Sequence, residues 1–330
     1  MKNSFKFIDL FSGIGGFRIA LENLGGKCVF SSEIDPNARK TYIENFRDIP
    51  DGDITKINPE DIPDHDILTA GFPCQAFSIA GKRKGFEDTR GTLFFYVAKI
   101  IKEKKPKAFF LENVKGLVNH DKGKTLKVIL NVLRNDLGYF VPEPKIINAK
   151  DFGLAQNRER IFIVGFKKKE NYSCFSYPKP LNKKFTFGDI KEDKTVSVKY
   201  YLSEKYLDAL KRHKARNLAK GNGFGFQIIK DTEISNAIVV GGMGRERNLV
   251  IDKRLKDFTP QTHIHGPVNR KGIRKMTPRE WARLQGFPDS FKIIVADVHA
   301  YKQFGNSVAV PAIQATGSQI IKALKLGDKK

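Results

Sequence analysis

The chain opens on a short apolar run and then repeats one pattern, an apolar stretch followed by a segment whose apolar positions recur at helical spacing. Phe5–Leu10 reads as a buried strand and Phe17–Leu24 as the helix after it. Cys28–Ser32 is a second strand, followed by a helix over about 37–46. Further strands are expected at Ile67–Ala70, Ala108–Leu111, Lys145–Ile147 and Ile161–Phe166, with helices at Leu93–Glu103 and Thr125–Leu137. This alternation predicts an α/β fold around a parallel sheet covered on both faces. Ligands of such sheets sit in the loops at the carboxyl ends of the strands.

Past Tyr177 the texture changes. Tyr177-Pro178-Lys179-Pro180 interrupts the alternation, and glycines then punctuate short apolar runs at 221–226, Ala237–Val240 and 241–244. A loop-rich second domain of short strands is expected there. Helical spacing returns at Pro278–Gln285 and Val310–Leu326.

Composition narrows the class. The 330 residues suit about two domains, and 40% hydrophobic with 11% aromatic residues is enough for a core, which excludes a disordered basic tail. The net charge of +23 points to a polyanionic partner, with a solubility surface as the alternative. Residues 186–275 carry 19 basic against 10 acidic residues, so charge alone does not single out the second domain. No stretch approaches the ~18 apolar residues of a membrane span. Asp9 follows two apolar residues and breaks any signal-peptide core, so a soluble, cytoplasmic protein is expected. Cys28, Cys74 and Cys174 form no Cys-x-x-Cys pair, which leaves no disulfide framework and no thiolate zinc site. His263-Ile264-His265 has no cysteine or carboxylate cluster nearby and reads as loop histidines, so no metal is expected.

Three places carry chemistry. Between the first strand and helix, Gly13-Ile14-Gly15-Gly16 permits a tight turn and close backbone approach to a ligand. Glu33 follows at the end of the second strand, where an acid receives ribose hydroxyls. The third glycine of a dinucleotide fingerprint is missing, so adenosine without a pyrophosphate fits better than a nicotinamide cofactor. Asp53 is expected to end a third strand and reach the adenine amino group. A plain turn flanked by surface acids is the competing reading. Second, Cys74 lies in Gly71-Phe72-Pro73-Cys74-Gln75, a loop just past a strand, where a thiolate can meet a ligand. Cys28 and Cys174 read instead as small buried hydrophobes. Third, Glu112 ends another strand at the same sheet edge, suited to hold or donate a proton, or else is an ordinary helix N-terminal acid. Arg158 and Arg160, two apart on an expected strand, would turn both guanidiniums to one face; a solvated charge run is the alternative.

Six ordered segments together resemble the DNA cytosine-5 methyltransferase family, essentially end to end: Asp9–Gly16, Pro73-Cys74-Gln75, Glu112-Asn113-Val114, Gln156–Arg160, Arg279–Pro288 and Gln303–Val308. Segments 221–226 and 241–247 are most like the HpaII-type restriction–modification enzymes, which implies CCGG as target with its inner cytosine modified. The resemblance implies a Rossmann-like catalytic domain dependent on S-adenosylmethionine, formed by 1–185 and 301–330. A smaller target-recognition domain would span 186–275, with 276–300 as a connection. Cys74 would add to C6 of a flipped-out cytosine, Glu112 would engage N3 and the exocyclic amine, Arg160 would hold the carbonyl, and Arg158 would anchor Glu112 or the backbone. Phe11, Gly13, Ile14, Gly16, Glu33, Ile34, Asp53, Ile54, Pro73, Leu93 and Asn306 would bind the cofactor.

For the DNA, Gln75 and Ser78 would belong to a closing loop containing Gly81, Gly85 and Gly91. Arg245 and Arg247 are candidate guanine readers. Lys205, Lys211, Arg212, Lys214, Arg216 and Lys220 either track a strand or form a solvated helix face. The implied partners are double-stranded DNA and a cognate restriction endonuclease, with the enzyme acting as a monomer. An RNA cytosine-5 methyltransferase and a silent DNA-binding protein on the same scaffold are the alternatives. Two positions depart from the family pattern: Ile34 replaces an adenine-stacking aromatic, which should weaken cofactor binding, and Ala155 replaces a proline, which should loosen its loop. The four residues before Phe5 leave no room for an N-terminal DNA-binding extension, and no large regulatory region is expected.

Overall fold

The computed structural model describes residues 5–73, 93–181, 183–223, 225–241, 243–260, 264 and 266–329. The first half contains β1 (Phe5–Leu10), α1 (Gly16–Glu22), β2 (Gly26–Ser32), α2 (Pro36–Phe46), β3 (Ile67–Gly71), α3 (Leu93–Lys104), β4 (Ala108–Val114), α4 (Lys124–Asn131), β5 (Lys145–Asn148), β6 (Gln156–Asn157), β7 (Glu159–Phe166) and α5 (Lys169–Ser173). After these come α6 (Glu204–Ala219), β8 (Gln227–Ile229), β9 (Ser235–Asn236), β10 (Asn248–Ile251), β11 (Ile273–Lys275), α7 (Pro278–Leu284), α8 (Asp297–Asn306) and α9 (Val310–Gly327).

Two compact units emerge. One holds the described parts of 1–148 with 159–181 and 307–330; the other holds 149–158 with 182–306. Compactness thus groups 149–158 and 276–306 with the second unit, where the resemblance implies that 149–158 and 301–306 belong to the first and 276–300 form a connection.

The first unit is built on a sheet in the order β2-β1-β3-β4-β7-β5. Its central strands are apolar on both faces, as in Phe7, Ile8, Leu10, Leu68, Phe109 and Leu111, because helices cover both sides. β1 to β4 run parallel. β7 runs antiparallel to both β4 and β5, which corrects the expectation of a purely parallel sheet. Only residues 149–158 separate β5 from β7, too few for the crossover that parallel neighbours need. Phe94, Val97 and Ile101 of α3 pack into the same core cluster as Ile8, Leu68 and Leu111. α2 starts on Asp35, whose carboxylate accepts the N–H groups of Asn37 and Ala38, with Pro36 at the first position. Asn171 of α5 donates to Leu324 O of α9 at 3.2 Å, fastening the closing helix.

The second unit is loop-rich, as expected. β10 pairs antiparallel with β11 and parallel with β8, and β6 pairs with β9 over two residues. Leu207 and Leu210 of α6 pack on Leu249 and Ile273. Fully buried Arg274 bonds Asp252 at 3.1 Å and Glu280 at 2.7 Å, joining β11 to α7. Burial opposes ionisation of Asp252, yet bonds from Arg254 and the Arg274 charge hold its carboxyl well below the usual range. The run Ala237–Val240 is not a strand. Its Ile238 N–H and C=O bond the side chains of Gln156 and Arg158, so they are spent before any ladder could use them.

Candidate active site

β1 delivers the chain into a left-handed turn: φ is +55° at Phe11, +55° at Gly13 and +85° at Gly15. Nothing lies within 4 Å of where a Gly13 Cβ would stand, so conformation and not space demands glycine there. A Cβ on Gly15 would collide with the Phe46 ring. Glu33 fastens this turn. Its Oε2 accepts Gly13 N–H at 2.8 Å and its Oε1 accepts Asp35 N–H at 2.7 Å. Each oxygen keeps a second lone pair, enough for two ribose hydroxyls. Beside it Ile34 is 67% exposed among the described residues, an apolar surface open to a ligand.

The other expected cofactor residues divide. Asp53 ends no strand, contrary to expectation: it caps the turn Ile54–Lys56. Its Oδ1 takes both the N–H and the hydroxyl of Thr55, which hold its carboxyl below the usual range. Among the described residues Oδ2 takes no hydrogen bond, and it could accept one from an amine. Ile14, Gly16 and Ile54 are buried; Ile54 belongs to the core, and Phe11 and Leu93 pack partly buried against it. Pro73 is exposed. Asn306 is exposed at the end of α8, in the second unit. A diol seat at Glu33, an open glycine turn and an exposed apolar wall fit the adenosine part of S-adenosylmethionine.

Asp9 enters the sequence reading as a break in any signal-peptide core and as part of the first motif, not as a buried acid. It is fully buried, accepts the Thr69 hydroxyl on Oδ1 at 3.1 Å, and has no hydrogen-bond partner on Oδ2 among the described residues. Burial pushes its carboxyl up to about 7. No periodicity or spacing in the sequence distinguishes such a group from a surface acid.

The ends of β3 and β4 bring the second constellation together. Gly71 pairs with Glu112 in register. Glu112 is 8% exposed, and its Oε1 lies 3.1 Å from Nε of Arg160 on β7. Arg160 Nη1 donates to Glu159 O at 2.8 Å, and Lys115 pairs with Glu159 at 2.8 Å. Next to Glu112, buried Asn113 donates to Phe72 O at 2.8 Å and accepts Val114 N–H. It therefore fixes the main chain just ahead of Pro73 and Cys74. Cys74, Gln75, Ser78, Gly81, Gly85 and Gly91 lie outside the described residues.

Arg158 departs from the shared-face expectation. It is 2% exposed, and its guanidinium donates to the carbonyls of Ile238 and Gly305. The anchoring role falls on backbone, and Arg160 is the arginine at Glu112. Residue 158 sits between β6 and β7 and not within one strand, so the two-residue alternation does not apply. Ala155, expected to loosen its loop, has its carbonyl held by both the N–H and the hydroxyl of Ser235.

In the second unit, Arg247 is exposed, whereas Arg245 is half-buried over the Tyr301 ring at 5.9 Å. Lys205, Lys211, Arg212, Lys214, Arg216 and Lys220 are all exposed; Lys211 pairs with Asp208, and Lys214 lies over Phe226. Cys28 and Cys174, expected as small buried hydrophobes, are half-buried, and burial pushes the Cys28 thiol up to about 12. His263 and His265 are outside the described residues, among which no cluster of metal ligands occurs and no helix is long and apolar enough to cross a membrane.

Comparison with known proteins places this geometry. The profile of the C-5 cytosine-specific DNA methylase family matches residues 5–322. The type II methyltransferase M.HpaII of Haemophilus parainfluenzae is 70% identical over 98% of this chain and 91% of its own length. M1.ScrFI of Lactococcus lactis subsp. cremoris is 51% identical over 98% of this chain and 80% of its own. Among solved structures, the Entamoeba histolytica methyltransferase EhMeth superposes with a TM-score of 0.74 at 19% identity, covering 98% of this chain and 99% of the other. The S. pombe Dnmt2 methyltransferase gives 0.73 at 21%, covering 97% and 99%. At those identities the structures establish the fold, a Rossmann-like methyltransferase; the sequence matches establish more, and the chain belongs to the C-5 cytosine-specific DNA methylase family.

Proposed function

We propose that the chain methylates the inner cytosine of CCGG in duplex DNA, as a monomer and as the modification partner of a restriction endonuclease, with Cys74 as nucleophile and the Glu112–Arg160 pair gripping the base. Family membership makes it a DNA cytosine-5 methyltransferase dependent on S-adenosylmethionine. The target sequence and the residue roles are the proposal. The observation that carries it is the 3.1 Å contact between Glu112 and Arg160, at the strand ends from which the chain runs into Pro73-Cys74.

Cytosine C5 is a poor nucleophile until C6 is attacked. Cys74, as thiolate, would form the S–C6 bond and push the C5–C6 π electrons toward C5, while Glu112 engages N3 and the exocyclic amine. Arg160 keeps Glu112 in place through Nε, and Nη2, without a bond among the described residues, would reach the cytosine carbonyl. When bound, the cofactor supplies the methyl group that C5 takes. A base then removes the C5 proton, the double bond re-forms and the Cys74 sulfur leaves. The base must leave the stack to be reached at all. Glu33 would hold the ribose, Asp53 the adenine amine and Ile34 the adenine face, and Asn306 is a further proposed cofactor contact. Residues 186–275 would recognise the target, with Arg245 and Arg247 as the arginines toward guanine; of the two, Arg247 has the greater exposure.

Methyl transfer from labelled cofactor into duplex DNA, followed by mapping of modified sites, tests this. Label confined to the inner cytosine of CCGG, and lost in Cys74→Ser, is expected. Label at other sites, in RNA only, or persisting in Cys74→Ser contradicts it.

A further inference from the structure

Among the described residues, three glycines stand within strands: Gly26 in β2, Gly71 in β3 and Gly165 in β7. Glycine weakens a strand, and it is kept there for a bulge, for close packing by the protein, or for close approach of a ligand. Packing accounts for two of them. A Cβ on Gly26 would stand 2.6 Å from the Phe5 ring and 3.0 Å from Leu21 O, and one on Gly165 would collide with the Phe109 ring.

Gly71 has neither reason. Its φ lies outside the left-handed region. Its register with β4 runs unbroken from Ile67–Ala108 to Gly71–Glu112, so it marks no bulge. Among the described residues, the atoms nearest to a Cβ there are Glu112 Oε2 at 3.6 Å, Val308 Cγ1 at 3.7 Å and Phe17 Cε2 at 3.8 Å. These are ordinary contacts, and all three atoms belong to side chains, so no second backbone presses on Gly71 either. Alanine would fit the protein alone. Gly71 is half-buried, which leaves its main chain within reach of a ligand.

The three walls select the part of the ligand. All lie in the first unit, and Phe17 and Val308 are buried. A carboxylate beside two apolar groups suits a small alkyl group that carries positive charge, because a cation leaving water needs an opposite charge nearby. The methylsulfonium of S-adenosylmethionine is such a group; adenine, ribose and the cytosine ring are neutral.

We propose that Gly71 is a specificity-determining residue whose bare main chain seats the methylsulfonium of the donor beside Glu112. Transfer breaks the S–CH3 bond and leaves its electron pair on sulfur, so the product S-adenosylhomocysteine has lost both the methyl group and the charge. The seat therefore distinguishes donor from product. The inference rests on the proposed function, since it takes this strand end as the place of methyl transfer.

Calorimetric titration of the full chain with each compound tests it. Gly71→Ala should weaken S-adenosylmethionine by about tenfold, as one methyl group too many in a packed site does, and leave S-adenosylhomocysteine unchanged. Its Tm should not fall, because alanine fits the strand. Equal weakening of both compounds marks a purely structural role and overturns the inference. So does unchanged donor affinity, including the case where only DNA binding suffers, which would put the base on Gly71. Val308→Ala draws back a wall and serves even if Gly71→Ala fails to fold. It should bring the affinity of the ethyl homologue, S-adenosylethionine, nearer to that of the methyl donor than in wild type, and an unchanged ratio overturns the inference. The proposed function fails separately, if wild type labels sites other than the inner cytosine of CCGG while Gly71→Ala still weakens the donor alone.

Discussion

Glu33 and Ile34 are adjacent, yet they stood differently in the sequence. The acid is legible because it follows a glycine turn at a set spacing, whereas its bonds to Gly13 and Asp35 N–H, which tie it to that turn, are tertiary facts that the spacing does not give. Ile34 was legible only as a departure from a pattern, and its exposure gives that departure a physical meaning. Replacing it with tryptophan should tighten cofactor binding by about 0.5–1.5 kcal/mol through stacking, read by calorimetry; unchanged affinity would mean the adenine lies elsewhere. Asp9 was not legible, because burial of a carboxylate is a tertiary fact. With its carboxyl raised to about 7 from 3.8, the folded protein keeps a proton that the unfolded chain releases above about pH 4. Its contribution to stability therefore falls as pH rises through that window and levels off above about 7. Asp9→Asn cannot ionise, so its Tm should gain on wild type between pH 5 and 7 and hold the gap above that. Melting curves whose difference is flat with pH would contradict this assignment.

At the scale of elements, strands and helices of the first unit follow their apolar spacing closely, from β1 to α3. Strand direction did not follow, because an apolar run reads the same in both directions; the short link between β5 and β7 decides it. The apolar run 237–240 shows the opposite failure. Its pattern suits a strand, but Gln156 and Arg158 side chains take the Ile238 backbone groups. The β3–β4 edge depends on a similar device, since Asn113 holds Phe72 O from inside the sheet. Asn113→Ala removes that bond and leaves a buried carbonyl unpaired, a cost of about 1–3 kcal/mol. Methyl transfer should slow by roughly ten- to a hundredfold while cofactor affinity holds, because Glu33 and the glycine turn are untouched. Equal loss of both would show that Asn113 supports the whole unit and not the segment leading to Cys74.

For the whole molecule, the net charge of +23 has a use once duplex DNA is the substrate, since clamping it needs phosphate neutralisation. Exposed Arg212 and Arg216 carry no ion pair among the described residues and stand one turn apart on α6. If they meet phosphates, Arg212→Ala with Arg216→Ala should reduce the slope of log K against log salt by about 1.8. An unchanged slope would make that stripe a solvated face. Everything else in the account depends on one bond, between the Cys74 sulfur and C6 of the target base. A CCGG duplex carrying 5-fluorocytosine at the inner position tests it most directly, because fluorine cannot leave C5 as a proton does and the adduct is trapped after methyl transfer. Mass spectrometry should then find one duplex strand attached to this chain through Cys74. A chain that transfers methyl to ordinary CCGG yet forms no such adduct, or forms it at another residue, would contradict the account.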